Sequence, residues 1–131
     1  MICQAITDAA QRSKVPPFDV ALKLLEAGVT TALITMAEEG CLAVCGEEVI
    51  RIHAPKVHVV DGCGAGATFS AGFIIGHLKG WSLEESARFA TAAASLKVTR
   101  PGLQMFTLNE IKELATQLPV ERLILADHLQ H

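Results

Sequence analysis

The sequence has little charge of either sign. Of its 131 residues, 19% are Asp, Glu, Lys or Arg, and they leave a net charge of −3. With an isoelectric point near 5.9, the chain lacks the basic surface that non-specific nucleic-acid binding requires. No apolar run approaches the roughly 18 to 20 residues of a membrane-crossing helix. The first residues carry no secretory pattern, because Asp8, Gln11 and Arg12 interrupt them. The expectation is a cytoplasmic protein with neither nucleic acid nor membrane as partner. Metal-ligand spacing is also missing. Cys3, Cys41, Cys45 and Cys63 include no C-x-x-C pair, and His53, His58, His77, His128 and His131 form no cluster. Cys41 and Cys45 fall on one face of a strand and read as reduced, buried or half-buried thiols. Repeats, low-complexity tracts and long linkers are absent too.

What is present is apolar. Half of the residues are hydrophobic, and the mean hydropathy is +0.37. That is enough for a core and excludes global disorder. The length fits one domain over residues 1–131. Pro16-Pro17 precedes Phe18, Ala21, Leu22 and Leu25 at helical spacing, and Gly28 closes that helix. Thr31–Thr35 and Cys41–Cys45 read as strands, and Glu48–His53 as the hairpin partner of the second. Val57–Val60, rich in β-branched residues, predicts a further short strand. Phe69, Phe73 and Leu78 mark a helix ending near Gly80. Ser82 with Glu85 predicts a capping box for an alanine-rich helix running to Val98. Thr107 with Glu110 predicts another, and Val120–Leu129 reads as a last short helix. The order is α/β.

Between strand and helix lies a glycine-rich turn, Asp61-Gly-Cys-Gly-Ala-Gly66. Successive N–H groups without bulky side chains, at a helix N-terminus with its positive partial charge, suit a phosphate oxygen. The bland alternative is a tight turn that needs glycine only for its backbone angles. Gly62–Ala67 also fits the dinucleotide fingerprint G-x-G-x-x-A. Two features weigh against a dinucleotide-binding module: a second helix follows the first, and Glu84 and Glu85 lie in a helical first turn rather than at a strand end.

Asp61-Gly-Cys-Gly-Ala-Gly-Ala-Thr-Phe-Ser-Ala-Gly72 resembles the C-terminal signature D-T-x-G-A-G-D-x-F of the ribokinase-like (PfkB) carbohydrate kinases. Ala90-Thr-Ala-Ala-Ala-Ser-Leu-Lys-Val-Thr-Arg-Pro-Gly102 is similar to that family's alanine-rich helix and V-T-R-x-G stretch. Gly28-Val-Thr-Thr-Ala-Leu-Ile-Thr-Met-Ala-Glu-Glu-Gly40 is similar to its strand and nucleotide loop. The resemblance implies part of a three-layer α/β/α fold and transfer of the ATP γ-phosphate to a sugar or nucleoside hydroxyl. It implies an anion hole at Gly64, Ala65 and Gly66, with Thr35 and Gly40 along the nucleotide. It sets Thr91 and Ala94 beside the adenine, and Asp61 and the Arg100–Gly102 loop near a monovalent cation. Mg²⁺ would arrive with ATP.

The sequence departs from the family where a side chain matters most. Ala67 stands at the position of the general-base aspartate and can accept no proton, a loss typically costing about 10² to 10⁴ in rate. Gly62 replaces the usual Thr or Ser, and Ala37 the glycine of T-x-G. Family members are usually more than twice this length, and no N-x-x-E region is evident near the start of this chain. A sheet cut through its middle exposes strand edges and apolar surface. The expectation is therefore a nucleotide-binding part, inactive alone, that forms a homo-oligomer or takes a partner chain. A regulatory nucleotide-binding domain and a structural remnant are the alternatives.

Overall fold

The computed structural model describes residues 2–7, 14–62, 64–100 and 107–124. Strands β1 (Ile2–Ile6), β2 (Thr31–Thr35), β3 (Cys41–Cys45), β4 (Glu48–Ile52) and β5 (Val120–Ile124) form one sheet in sequence order. β1 runs parallel to β2, with Ile2 opposite Thr31, and every other neighbouring pair is antiparallel. The helices are α1 (Pro17–Glu26), α2 (Ala65–Leu78), α3 (Leu83–Val98) and α4 (Leu108–Ala115).

Alternation along the strands gives the sheet two apolar faces, each with its own core. On one face, Ala32, Ile34, Leu42, Val44 and Val49 meet Ala21 of α1, flanked by Phe18, Leu24 and Leu25. On the other, Leu33, Cys41, Ala43, Ile50 and Ile52 meet Phe69 and Phe73 of α2, the alanines of α3, and Ile111 of α4. The result is three layers, α/β/α, as the resemblance implies. Burying Phe69 and Phe73, each 3% exposed, contributes about 1.5–3 kcal/mol apiece. The small residues of α3 let α2 approach closely. A side chain added at Gly72 would stand 3.0 Å from the Ala90 Cα.

Both helix caps lie where the sequence places them, one only in part. Ser82 accepts a hydrogen bond from the Glu85 N–H without the return bond of the expected box, and Thr107 with Glu110 completes a reciprocal capping box. Two expected elements differ. Val57–Val60 is not a strand and joins neither edge of the sheet. The Val60 and Asp61 N–H groups instead donate to the Val98 carbonyl at 2.7 and 3.1 Å. Val120–Ile124 is a strand rather than the start of a helix, with Val120 opposite Ile52. Its alternation sends Val120 to one core and Leu123 to the other. The rest of that segment, with Cys63 and Gly102, lies outside the described residues. Cys41 and Cys45 sit at opposite ends of β3, about 13 Å apart along the strand. Both are free thiols, as is Cys3. Among the described residues, no helix is long and apolar enough to cross a membrane.

Candidate nucleotide site

The loop between β2 and β3 is shaped by its backbone. Met36 N–H donates to the Gly40 carbonyl at 2.8 Å, and Gly40 N–H to the Ala37 carbonyl at 3.1 Å. Gly40 holds φ +92°, and a Cβ there would fall 1.9 Å from the Ile52 carbonyl oxygen. Only glycine fits. Ala37, which stands where the family pattern has glycine, takes φ +50°, a left-handed conformation unfavourable for a residue with a Cβ. Thr35 is tied to β1: its hydroxyl donates to the Ala5 carbonyl at 3.4 Å, and its carbonyl accepts from Thr7 N–H at 3.0 Å.

The glycine-rich loop leads into α2. Gly64 is the N-cap, at φ +83°, with no side-chain cap and no acidic residue in the first turn. The N–H groups of Ala65, Gly66 and Ala67 therefore lack helical partners, and the helix dipole directs positive partial charge toward them. Behind the loop, Gln4 Nε2 donates to the Gly66 carbonyl at 3.3 Å. The Ser70 hydroxyl lies 3.0 Å from that carbonyl and also bonds to Gln4 Oε1. These contacts hold the start of α2 to the end of β1.

Loop and helix face one another across a cleft of about 690 Å³. Thr35, Gly40, Gly64, Ala65, Gly66, Thr91 and Ala94 all line it. Ala67 is exposed in the first turn of α2 but does not line the cleft. Asp61 lies just outside, joined through its N–H to the end of α3. Thr91 is buried in the floor, where its hydroxyl and the Cys41 thiol form a 3.4 Å hydrogen bond. Burial pushes the Cys41 thiol up to about 11, against the smaller opposing effect of that bond. Arg100, in the V-T-R stretch, pairs with Glu110 at the start of α4. The Arg100 hydrogen bond, helped by the Thr107 N–H, holds the Glu110 carboxyl below its ordinary range.

Sequence reasoning missed the wall from Ala54 to Val59, with Pro55, Lys56 and Val57, and also the lining residues Ile6, Glu38, Ser95 and Val98. It also missed the Gln4–Ser70 tie. Ser70 lies within the recognised motif, but nothing local points to Gln4, its partner 66 residues earlier. The helix after the loop leads into a second helix, α3, so the strand–helix–strand unit of a dinucleotide fingerprint is not formed.

The chain matches the pfkB family of carbohydrate kinases over residues 6–110. It is 32% identical over 99 residues to the 1-phosphofructokinase of Borreliella burgdorferi, covering 75% of this chain and 32% of that protein. The Arabidopsis thaliana ribokinase, solved with ribose and ATP, superposes with a TM-score of 0.70 at 29% identity, covering 86% of this chain and 40% of that one. The phosphofructokinase-2 of Escherichia coli, solved with potassium, superposes at 0.72 with 21% identity, covering 87% and 40%. The chain thus spans about a third of the length of the curated relative. Motif, cleft and fold agree: this chain belongs to the pfkB family of carbohydrate kinases.

Proposed function

We propose that the chain binds ATP in this cleft and, by itself, does not transfer its phosphate. The observation that carries the reading is the convergence on one cleft of the uncapped start of α2 and the Thr35–Gly40 loop. The phosphates lie against the N–H groups at Gly64–Ala67. The base lies between Thr91 and Ala94 on one side and the Val57–Val59 wall on the other. Such N–H groups stabilise the charge that develops on a transferred phosphoryl group, the main protein contribution to this chemistry. These contacts use backbone and small side chains, so the substitutions at Gly62, Ala37 and Ala67 leave them intact. Proton abstraction does not survive, because Ala67 offers no acceptor.

Mg²⁺ enters with the nucleotide, as part of the substrate. Asp61 opens the glycine-rich turn, and its attachment to the end of α3 fits the neighbourhood expected for a monovalent cation. The sugar or nucleoside site belongs to a further half of the fold, supplied by another polypeptide, by more chain or by a second copy. What supports this is the outer face of α2, where Ile74 is 51% and Leu78 79% exposed, together with β1 at the sheet's edge.

A paired measurement tests the proposal. ATP titrated into the chain gives heat of binding, while a coupled assay with ribose or fructose 6-phosphate gives no phosphorylation. Absence of heat at millimolar ATP, or turnover by the chain alone, overturns it.

A further inference from the structure

The turn that would meet the phosphates carries almost no side chain. Among the described residues, nothing lies within 4 Å of where a side chain would start at Gly62. At Gly64 a single atom does: the Lys97 Cε, at 3.7 Å. Lys97 stands in the last turn of α3, half-buried, at the margin of the cleft: its neighbours Ala94, Ser95 and Val98 line the cleft and Lys97 itself does not. It forms no ion pair with any described residue. Its ammonium is one bond beyond Cε, more than 4 Å from that point, near a helix start that has neither a side-chain cap nor a first-turn carboxylate.

We infer that Lys97 is a positioning residue for the terminal phosphates of the nucleotide, a reading that rests on the ATP site proposed above. The physical case is complementarity. Backbone N–H groups give a phosphate direction but only partial charge, and a lysine adds a full, mobile positive charge. The two come from different elements, α2 and α3, so an anion held by both joins the helix ends that border the cleft. Ala67 removes the one negative charge the family pattern would place in that first turn. The first turn of α2 then carries no negative charge against an anion, and the carboxylates of the surroundings, Asp61 and Glu38, lie outside that turn.

The competing role is structural. A lysine in the last turn of a helix is favourable against the C-terminal partial charge, ligand or not. The two roles differ in what Lys97→Met does to different ligands. Calorimetric titration of the 131-residue chain with ATP and with adenosine separates them. The phosphate role expects Lys97→Met to weaken ATP about tenfold and adenosine not at all, with Lys97→Arg within about twofold of wild type. Should the methionine variant not fold, Lys97→Gln gives the same comparison. If the variant binds ATP as tightly as wild type, or loses ATP and adenosine alike, Lys97 has no phosphate role. If wild type binds adenosine but ATP no more tightly, the inference fails while the cleft remains a base site. If wild type binds neither, the inference and the nucleotide reading fall together.

Discussion

The two ends of the cleft are built on different principles. At the β2–β3 end, geometry is closed: Gly40 is pressed against the Ile52 carbonyl, and Thr35 is tied to β1. At the α2 end only the turn before the helix is open: among the described residues, one lysine stem lies near Gly64, whereas at Gly66, inside the helix, a side chain would meet Ile6 at 2.7 Å. Both ends present mainly backbone to the cleft. Binding through N–H and carbonyl groups survives changes of side chain, whereas a proton acceptor exists only as a side chain. On the reading proposed above, this is how a chain keeps a nucleotide cleft while losing the base beside it.

Substituting the two glycines breaks or sharpens that contrast most strongly. Gly40→Ala is expected to cost more than about 3 kcal/mol, because its Cβ overlaps a backbone carbonyl and no rotamer relieves it. Gly64→Ala meets only the flexible Lys97 and carries just the left-handed backbone cost, about 1–2 kcal/mol. Urea unfolding of both variants reads the difference. Equal losses would mean that the two ends are not built differently.

The second test concerns the floor beneath the closed end. The folded state holds the Cys41 thiol at about 11, above its ordinary 9.0, so it binds this proton more tightly than the unfolded chain does. The stabilisation is complete below about pH 9 and is lost as pH rises through about 11, up to roughly 2.7 kcal/mol in all. Cys41→Ala should flatten that alkaline limb relative to wild type in denaturation curves across this range. An unchanged limb would mean that Cys41 is not sealed in the floor.

A smaller effect is expected at Ala37. Glycine there removes the left-handed penalty but adds unfolded-chain entropy, leaving a net gain of about 0.5 kcal/mol. A rise of a few degrees in melting temperature for Ala37→Gly would support this, and a fall would contradict it.

Much of this fold is legible in the sequence, and the misreadings share a physical cause. α1, α3 and α4 carry Pro, Ser or Thr at their starts and α2 a glycine, and apolar residues follow at helical spacing. β2 and β3 are continuous apolar runs because both their faces are covered. β1 and β5 are the two edges of the sheet, and edges tolerate polar residues such as Gln4, Glu121 and Arg122 that hide a strand pattern. Val57–Val60 has strand composition, but its Val60 N–H is taken by the Val98 carbonyl at the end of α3. Composition sees propensity, while pairing depends on which partner the fold brings alongside. For the site the same division holds. Thr35, Gly40, Gly64, Ala65, Gly66, Thr91 and Ala94 line one cleft and Ala67 and Asp61 do not, while Gln4 and the Ala54–Val59 wall arrive through the topology of the sheet.

The most direct test of the central claim is thermal unfolding of the chain with and without millimolar ATP. A ligand that binds only the folded state at about a hundred times its dissociation constant stabilises it by about 2.7 kcal/mol. The account expects a clear, concentration-dependent rise in melting temperature with ATP, larger than with adenosine. An identical melting temperature at every ATP concentration would contradict it.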